Sequence, residues 1–174
     1  GTHTTPTPTV SAAQTGRTNT YTNTAATGGI NNGSVTLVVP AGWSAPSTTG
    51  ANAGYTTASS GTVSVASQTI TVSSLTLAAG NTFTITYGDT GSGGPGATAT
   101  SSTGAQTWQE QEKSTSAGSL TNLGASPSIT VNAADGSGTL TTPTTNVSAS
   151  QTGRTITFTY TAATGGINNG SVTL

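Results

Sequence analysis

Residues 24–37 read TAATGGINNGSVTL, and the same fourteen residues return as 161–174. Extending both copies towards the N-terminus holds the register, with Gly1 falling on Gly138 and Leu37 on Leu174, an offset of 137 residues. Of the 37 aligned positions, 30 are identical. The seven that differ are His3/Leu140, Pro8/Thr145, Thr9/Asn146, Ala13/Ser150, Asn19/Ile156, Tyr21/Phe158 and Asn23/Tyr160. Identity at this level is an internal repeat. It predicts one full unit followed by the opening strands of another, as in a window on a longer tandem array. Within the second copy Ile156, Phe158 and Tyr160 alternate with Thr155, Thr157, Thr159 and Thr161. That is the period of a half-buried strand, apolar side in and threonine out. The first copy has Asn19, Tyr21 and Asn23 at those places, so two of three apolar positions are lost. Either this face meets a polar neighbour or the first copy is the weaker one.

Working outward, the chain reads as short strands and turns. Residues 1–9 are Thr/Pro-rich and predict a linker. Residues 10–133 predict the folded unit, residues 134–147 a second linker, and residues 148–174 the opening strands of the next unit, completing a neighbour. A short strand is expected at 10–13 and a turn at 28–33, where Asn32-Gly33 favours positive φ. Val35, Leu37 and Val39 form an inward face that Pro40 ends. A long loop over 41–55 carries Trp43. Val63 and Val65, Ile70 and Val72, then Leu75 and Leu77 follow as inward positions. Phe83, Ile85 and Tyr87 alternate with Thr82, Thr84 and Thr86. A polar strand over 106–114 contains Trp108, and Ile129 and Val131 mark the last strand. The fold class is therefore all-β, a sandwich of about seven to nine strands with no helical periodicity.

Composition narrows the function. Charged residues are 4% of the chain, against about 25% in average globular proteins. Three basic residues and a net charge of −1 exclude a phosphate-binding surface, and so nucleic acid. No apolar run approaches the roughly 20 residues of a spanning helix, so membrane insertion is not expected. Cysteine and methionine are absent, which resists oxidation and suits an extracellular, secreted or cell-surface setting. Near-zero net charge leaves little repulsion against self-association.

Residues 38–43 (VVPAGW), a valine-rich hairpin, and residues 75–85 (LTLAAGNTFTI) together resemble the immunoglobulin-like tandem repeats of large secreted bacterial surface and adhesin proteins. The resemblance spans most of residues 10–133. It implies an immunoglobulin-like sandwich in tandem repeat and a role in a stalk, adhesin or fibre. It carries no catalytic residues over.

No catalytic, cofactor or metal site is expected. His3 falls in the predicted linker, which would not hold an imidazole for a catalytic triad. Glu110 and Glu112 lie two apart on one strand, about 6.6 Å by backbone rise. Glycosidases use carboxyl pairs about 5–9.5 Å apart, but Gln109, Gln111 and Lys113 around them predict a solvated polar face instead. The Gly-rich stretch 91–96 lacks the lysine of a phosphate loop. Asp135-Gly136-Ser137 supplies one carboxylate, too few oxygens for calcium. Lys113, the sole lysine, has no acid clearly placed to drive an isopeptide cross-link.

Trp43 and Tyr55 are candidate ligand contacts, since loop aromatics stack on sugar faces; the other reading of Trp43 is that it covers the open end of the sandwich. Asn32, Asn146 and Asn169 match the glycosylation acceptor pattern. The expected function is a structural repeat or subunit of an extracellular filament, stalk or surface fibre. Its partners are copies of itself, in a covalent array or a head-to-tail homopolymer. Ile156, Phe158, Tyr160, Val172 and Leu174 would complete a neighbouring unit by strand addition. Alternatives are an adhesin or carbohydrate-binding module that takes glycans and, last, a glycoside hydrolase domain.

Overall fold

The computed structural model describes residues 1–5, 9–167 and 170–174. Among them are fourteen strands and no helix. In chain order the strands are β1 (Thr2–Thr4), β2 (Thr9–Ser11), β3 (Asn19–Thr24), β4 (Ile30–Val38), β5 (Thr56–Ala58), β6 (Thr62–Ala66) and β7 (Thr69–Leu77). There follow β8 (Thr82–Tyr87), β9 (Gly104–Thr107), β10 (Glu110–Lys113), β11 (Thr121–Asn122), β12 (Ser128–Asn132), β13 (Thr139–Thr141) and β14 (Thr159–Thr161). The all-β expectation holds, and the layers are consistent with a β-sandwich.

One sheet runs β1-β3-β8-β5, another β11-β10-β4-β7-β6, and a third β2-β12-β9. Their inner faces share one apolar core. Tyr21, Phe83, Ile85 and Tyr87 come from the first sheet, Val35, Leu37, Ile70, Val72 and Leu75 from the second, and Val10, Ile129 and Val131 from the third. The alternation that marks β8 in the sequence is its burial pattern: Phe83, Ile85 and Tyr87 point in and Thr82, Thr84 and Thr86 do not. On the other side threonines pair across strands, Thr22 with Thr84, Thr24 with Thr82 and Thr20 with Thr86. Such pairs each add roughly 0.2–1 kcal/mol to sheet stability.

Four expectations change. Among the described residues twelve strands, not seven to nine, lie before residue 133, because the sheets are finished by pieces of two or three residues such as β1, β5 and β11. Residues 1–9 are not linker throughout: β1 pairs antiparallel with β3, Thr2 opposite Thr24 and His3 opposite Asn23. Similarly, β13 falls inside the expected 134–147 linker. Residues 30–33 are not a turn but the bulged start of β4, with register shifts on either side of Gly33. Asn32, not Gly33, takes the positive φ of 51°. Gly33 serves close approach instead, because a Cβ there would run into the Lys113 carbonyl oxygen.

The polar run 106–114 also divides. Its β9 half pairs with β12 and its β10 half with β4, so the strand passes from the third sheet to the second at Trp108 and Gln109. The Trp108 N–H donates to the Pro127 carbonyl at 2.9 Å, and the Gln109 carbonyl accepts from the Val38 N–H at 2.9 Å. The period of two survives the crossing. Trp108, Glu110 and Glu112 therefore share one face, and that face is the core.

Candidate functional site

Two surfaces built from the repeated sequence define the site: the inner face of β1 and β3, which is closed, and the same face of β13 and β14, which is open. In the first copy the closing element is β10. The Glu110 carboxyl is fully enclosed, and it pairs with the His3 imidazole through Oε2 and Nδ1. Its other oxygen accepts a hydrogen bond from Asn23 Nδ2 at 2.7 Å. The His3 ring lies 5.4 Å from that of Tyr21, and Tyr21 lies 5.0 Å from Trp108. Trp108 is the hub of the aromatic cluster, with Trp43 and Tyr87 each 5.1 Å away. Burial holds the Tyr21 and Tyr87 hydroxyls well above their ordinary titration range, with the Tyr87 charge adding at Tyr21. The Tyr87 hydroxyl donates to the Ser44 carbonyl at 2.5 Å.

This overturns two expectations. Glu110 and Glu112 are not a solvated face: Trp108 fixes the phase of the strand, and the carboxyls two and four residues on follow it inwards. Glu112 lies at the margin, its Oε2 3.7 Å from the Gly1 nitrogen. Nor is His3 a solvated linker residue, since β1 delivers its side chain into the core. The missed signal was in the second copy, where Thr139-Leu140-Thr141 carries the period of two that Thr2-His3-Thr4 conceals. The polar reading of the first-copy strand is the right one of the two left open. Asn19 and Asn23 point inwards and are buried, and Asn23 meets Glu110.

The second copy repeats the geometry. β13 pairs with β14 antiparallel, Thr139 opposite Thr161, Leu140 opposite Tyr160 and Thr141 opposite Thr159. Each pair is the β1–β3 pair displaced by 137 residues. Yet Leu140, Ile156 and Phe158 are each 45% exposed and Tyr160 37%, where the side chains of His3, Asn19, Tyr21 and Asn23 are closed off. Val172 and Leu174 are exposed too, at 48% and 79%, although their counterparts Val35 and Leu37 are core residues.

Trp43 is not on the surface. Its ring is enclosed against Trp108 and Tyr87, so neither face is free to stack on a sugar. Tyr55 is half-buried beside Ser47 at the edge of the long loop. Asn32 and Asn146 are exposed, and Asn169 lies outside the described residues. Lys113 Nζ donates to the Ser116 carbonyl at 3.0 Å, on the outer side of its strand. Asp135 lines a shallow cleft of about 370 Å³ with Tyr160 and Ile167. Among the described residues no three metal-ligating side chains cluster.

Asp89 marks the tight loop that precedes residues 90–96. It accepts from the Thr57 hydroxyl at 2.6 Å and from the Gly91 N–H at 2.8 Å, and these two bonds hold its carboxyl below the usual range. A lowered folded-state value means that the carboxylate stabilises the fold above about pH 4 and that this contribution fades as pH falls through the folded value. An NMR titration should place Asp89 below 3.8, and Thr57→Val should move it back up. An unchanged midpoint in that variant would remove the Thr57 hydroxyl as the cause.

Comparison with protein-family models, curated proteins and solved structures finds no match to this chain.

Proposed function

We propose that this chain is a structural repeat of an extracellular filament, stalk or surface fibre, joined head to tail through shared or donated β-strands. One observation carries the reading. Residues 138–174 repeat residues 1–37 in sequence and, at β13–β14, in strand register, but present as open surface the face that the first copy buries. A two-stranded ribbon is marginal in water. Its apolar residues gain by covering a neighbour's core, at about 25 cal/mol for each Å² removed from water. Heterologous contacts of this kind do not close on themselves and so extend into filaments. The scarcity of charge and the lack of cysteine and methionine fit an extracellular setting.

The adhesin alternative keeps Tyr55 but loses Trp43 to the core. The hydrolase alternative has little to work with, because the Glu110 carboxyl is fully buried and committed to His3 and Asn23. Electron microscopy of native material, followed by gel sizing after strong denaturation, tests the proposal. Filaments with a regular axial repeat are expected, falling to short chains if strands are donated and staying very long if the array is covalent. Particles without an axial repeat would refute it.

A further inference from the structure

Four of the seven differences between the two copies fall on one face, and all four point the same way. His3 becomes Leu140, Asn19 becomes Ile156, Tyr21 becomes Phe158 and Asn23 becomes Tyr160. In the first copy each of these side chains is enclosed, and the group that His3 and Asn23 both meet is Glu110. The remaining differences lie elsewhere: Thr9/Asn146 and Ala13/Ser150 are exposed pairs, and Pro8 is outside the described residues. The apolar residues common to both copies, such as Val35/Val172 and Leu37/Leu174, are unchanged. The exchange is thus confined to the inner face of β1 and β3, where two of the four positions, His3 and Asn23, meet Glu110 on β10.

Laying residues 138–174 over a strand that carries Glu110 would put Leu140 where the His3 imidazole stands and Tyr160 where the Asn23 amide stands, leaving the buried carboxyl a hydrocarbon side chain in place of its imidazole partner and a single phenol in place of its amide. Removing one side of a buried polar pair in this way is strongly unfavourable, whereas replacing both sides by apolar groups is close to neutral. The first-copy face also retains polar atoms with no hydrogen-bond partner among the described residues, including the Asn19 amide and the Tyr21 hydroxyl. Such groups serve stability poorly. A buried polar set of this kind is better suited to choosing a partner, as a single buried asparagine does in a coiled coil.

Resting on the proposed strand sharing, we infer that the open face of residues 138–174 is covered by the body of a sandwich unit of this same fold that carries uncharged, apolar residues where this unit has Glu110 and Glu112. The two kinds of face are not interchangeable. The first-copy strands fit a body with the buried glutamate, and the second-copy strands fit a body without it. Neighbouring units in an array are thereby kept from trading opening strands with this one, although the threonine-rich outer sides of those strands are nearly the same.

The test uses the full 174-residue chain. Grafting the second face onto the first, as H3L/N19I/Y21F/N23Y, should lower the melting temperature by about 10 °C or more while Glu110 and Glu112 remain. Adding E110L/E112V to that graft should recover most of the loss. In the otherwise native chain, E110L/E112V should make the body receptive to the apolar strands. Amide exchange at residues 156–161 should then slow by about 100-fold as they are captured, with protection lost at residues 19–24. A graft that melts with the native chain, or a segment 156–161 equally unprotected beside the E110L/E112V body, would overturn the inference. Neither readout depends on filaments. Their absence by microscopy would remove the assembly reading and leave the matching of faces standing or falling on these results alone.

Discussion

Glu110→Ala will lower the stability of the folded unit by about 3–5 kcal/mol, one of the largest single losses expected in this chain. Its carboxyl is fully enclosed, pairs with the imidazole of His3 and accepts from Asn23 at 2.7 Å. Truncation leaves an imidazole and an amide buried without their acceptor and opens a void between β3 and β10. Urea denaturation of the full chain reads the loss. The comparison is Glu112→Ala. Among the described residues the Glu112 carboxyl accepts only from the Ser114 hydroxyl, at 3.4 Å, and it leaves no buried imidazole or amide behind when removed, so the change should cost about 1 kcal/mol. Equal effects of the two would mean that burial of Glu110 is not what distinguishes them.

Trp108→Ala should cost about 3–5 kcal/mol as well, by a different route. Trp108 stands where the chain passes between two sheets, and its indole touches Tyr21, Tyr87 and Trp43, two rings from the first sheet and one from the long loop. Removing it deletes the shared neighbour of three aromatics, so near-ultraviolet circular dichroism should weaken together with stability. Trp108→Phe, which keeps a ring in place, should cost clearly less. At the half-buried Tyr55, replacement by alanine should stay within about 1 kcal/mol. Retention of the native near-ultraviolet spectrum in Trp108→Ala would contradict its place as the hub.

Period-two alternation made β8 plain from residues 82–87, and Pro40 and Asn81 bounded their elements as turn chemistry requires. Where the sequence misled, tertiary context had overridden a local rule. Asn32-Gly33 is a strong hairpin signal taken alone, but in the folded chain Gly33 lies under the Lys113 carbonyl and the segment becomes a bulge. Glu110 and Glu112 looked exposed because charged side chains are rarely buried. Only the phase set by Trp108 shows otherwise, and that phase matters once it is known that Trp108 itself is in the core. His3 hid its strand because a histidine between threonines carries no apolar signal; Leu140 at the same place does. The candidate assembly face was legible for the opposite reason: a near-exact repeat exposes its seven differences, and four of them exchange a side chain for a less polar one. What those differences answer to, the buried carboxyl on β10, needed the three-dimensional pairing of β1 with β3 and of β10 with β4.

The most direct measurement is amide hydrogen exchange on the isolated 174-residue chain at low concentration, comparing residues 19–24 with residues 156–161. The two segments differ at three positions and share their threonines, so intrinsic exchange is nearly matched. Slow exchange in the first and near-unprotected exchange in the second is the expected result, and it would establish a closed face and an open one made from the same repeated sequence. Equal protection of both segments in the isolated chain would mean that the second copy already has its partner within this molecule, and would contradict strand sharing between units.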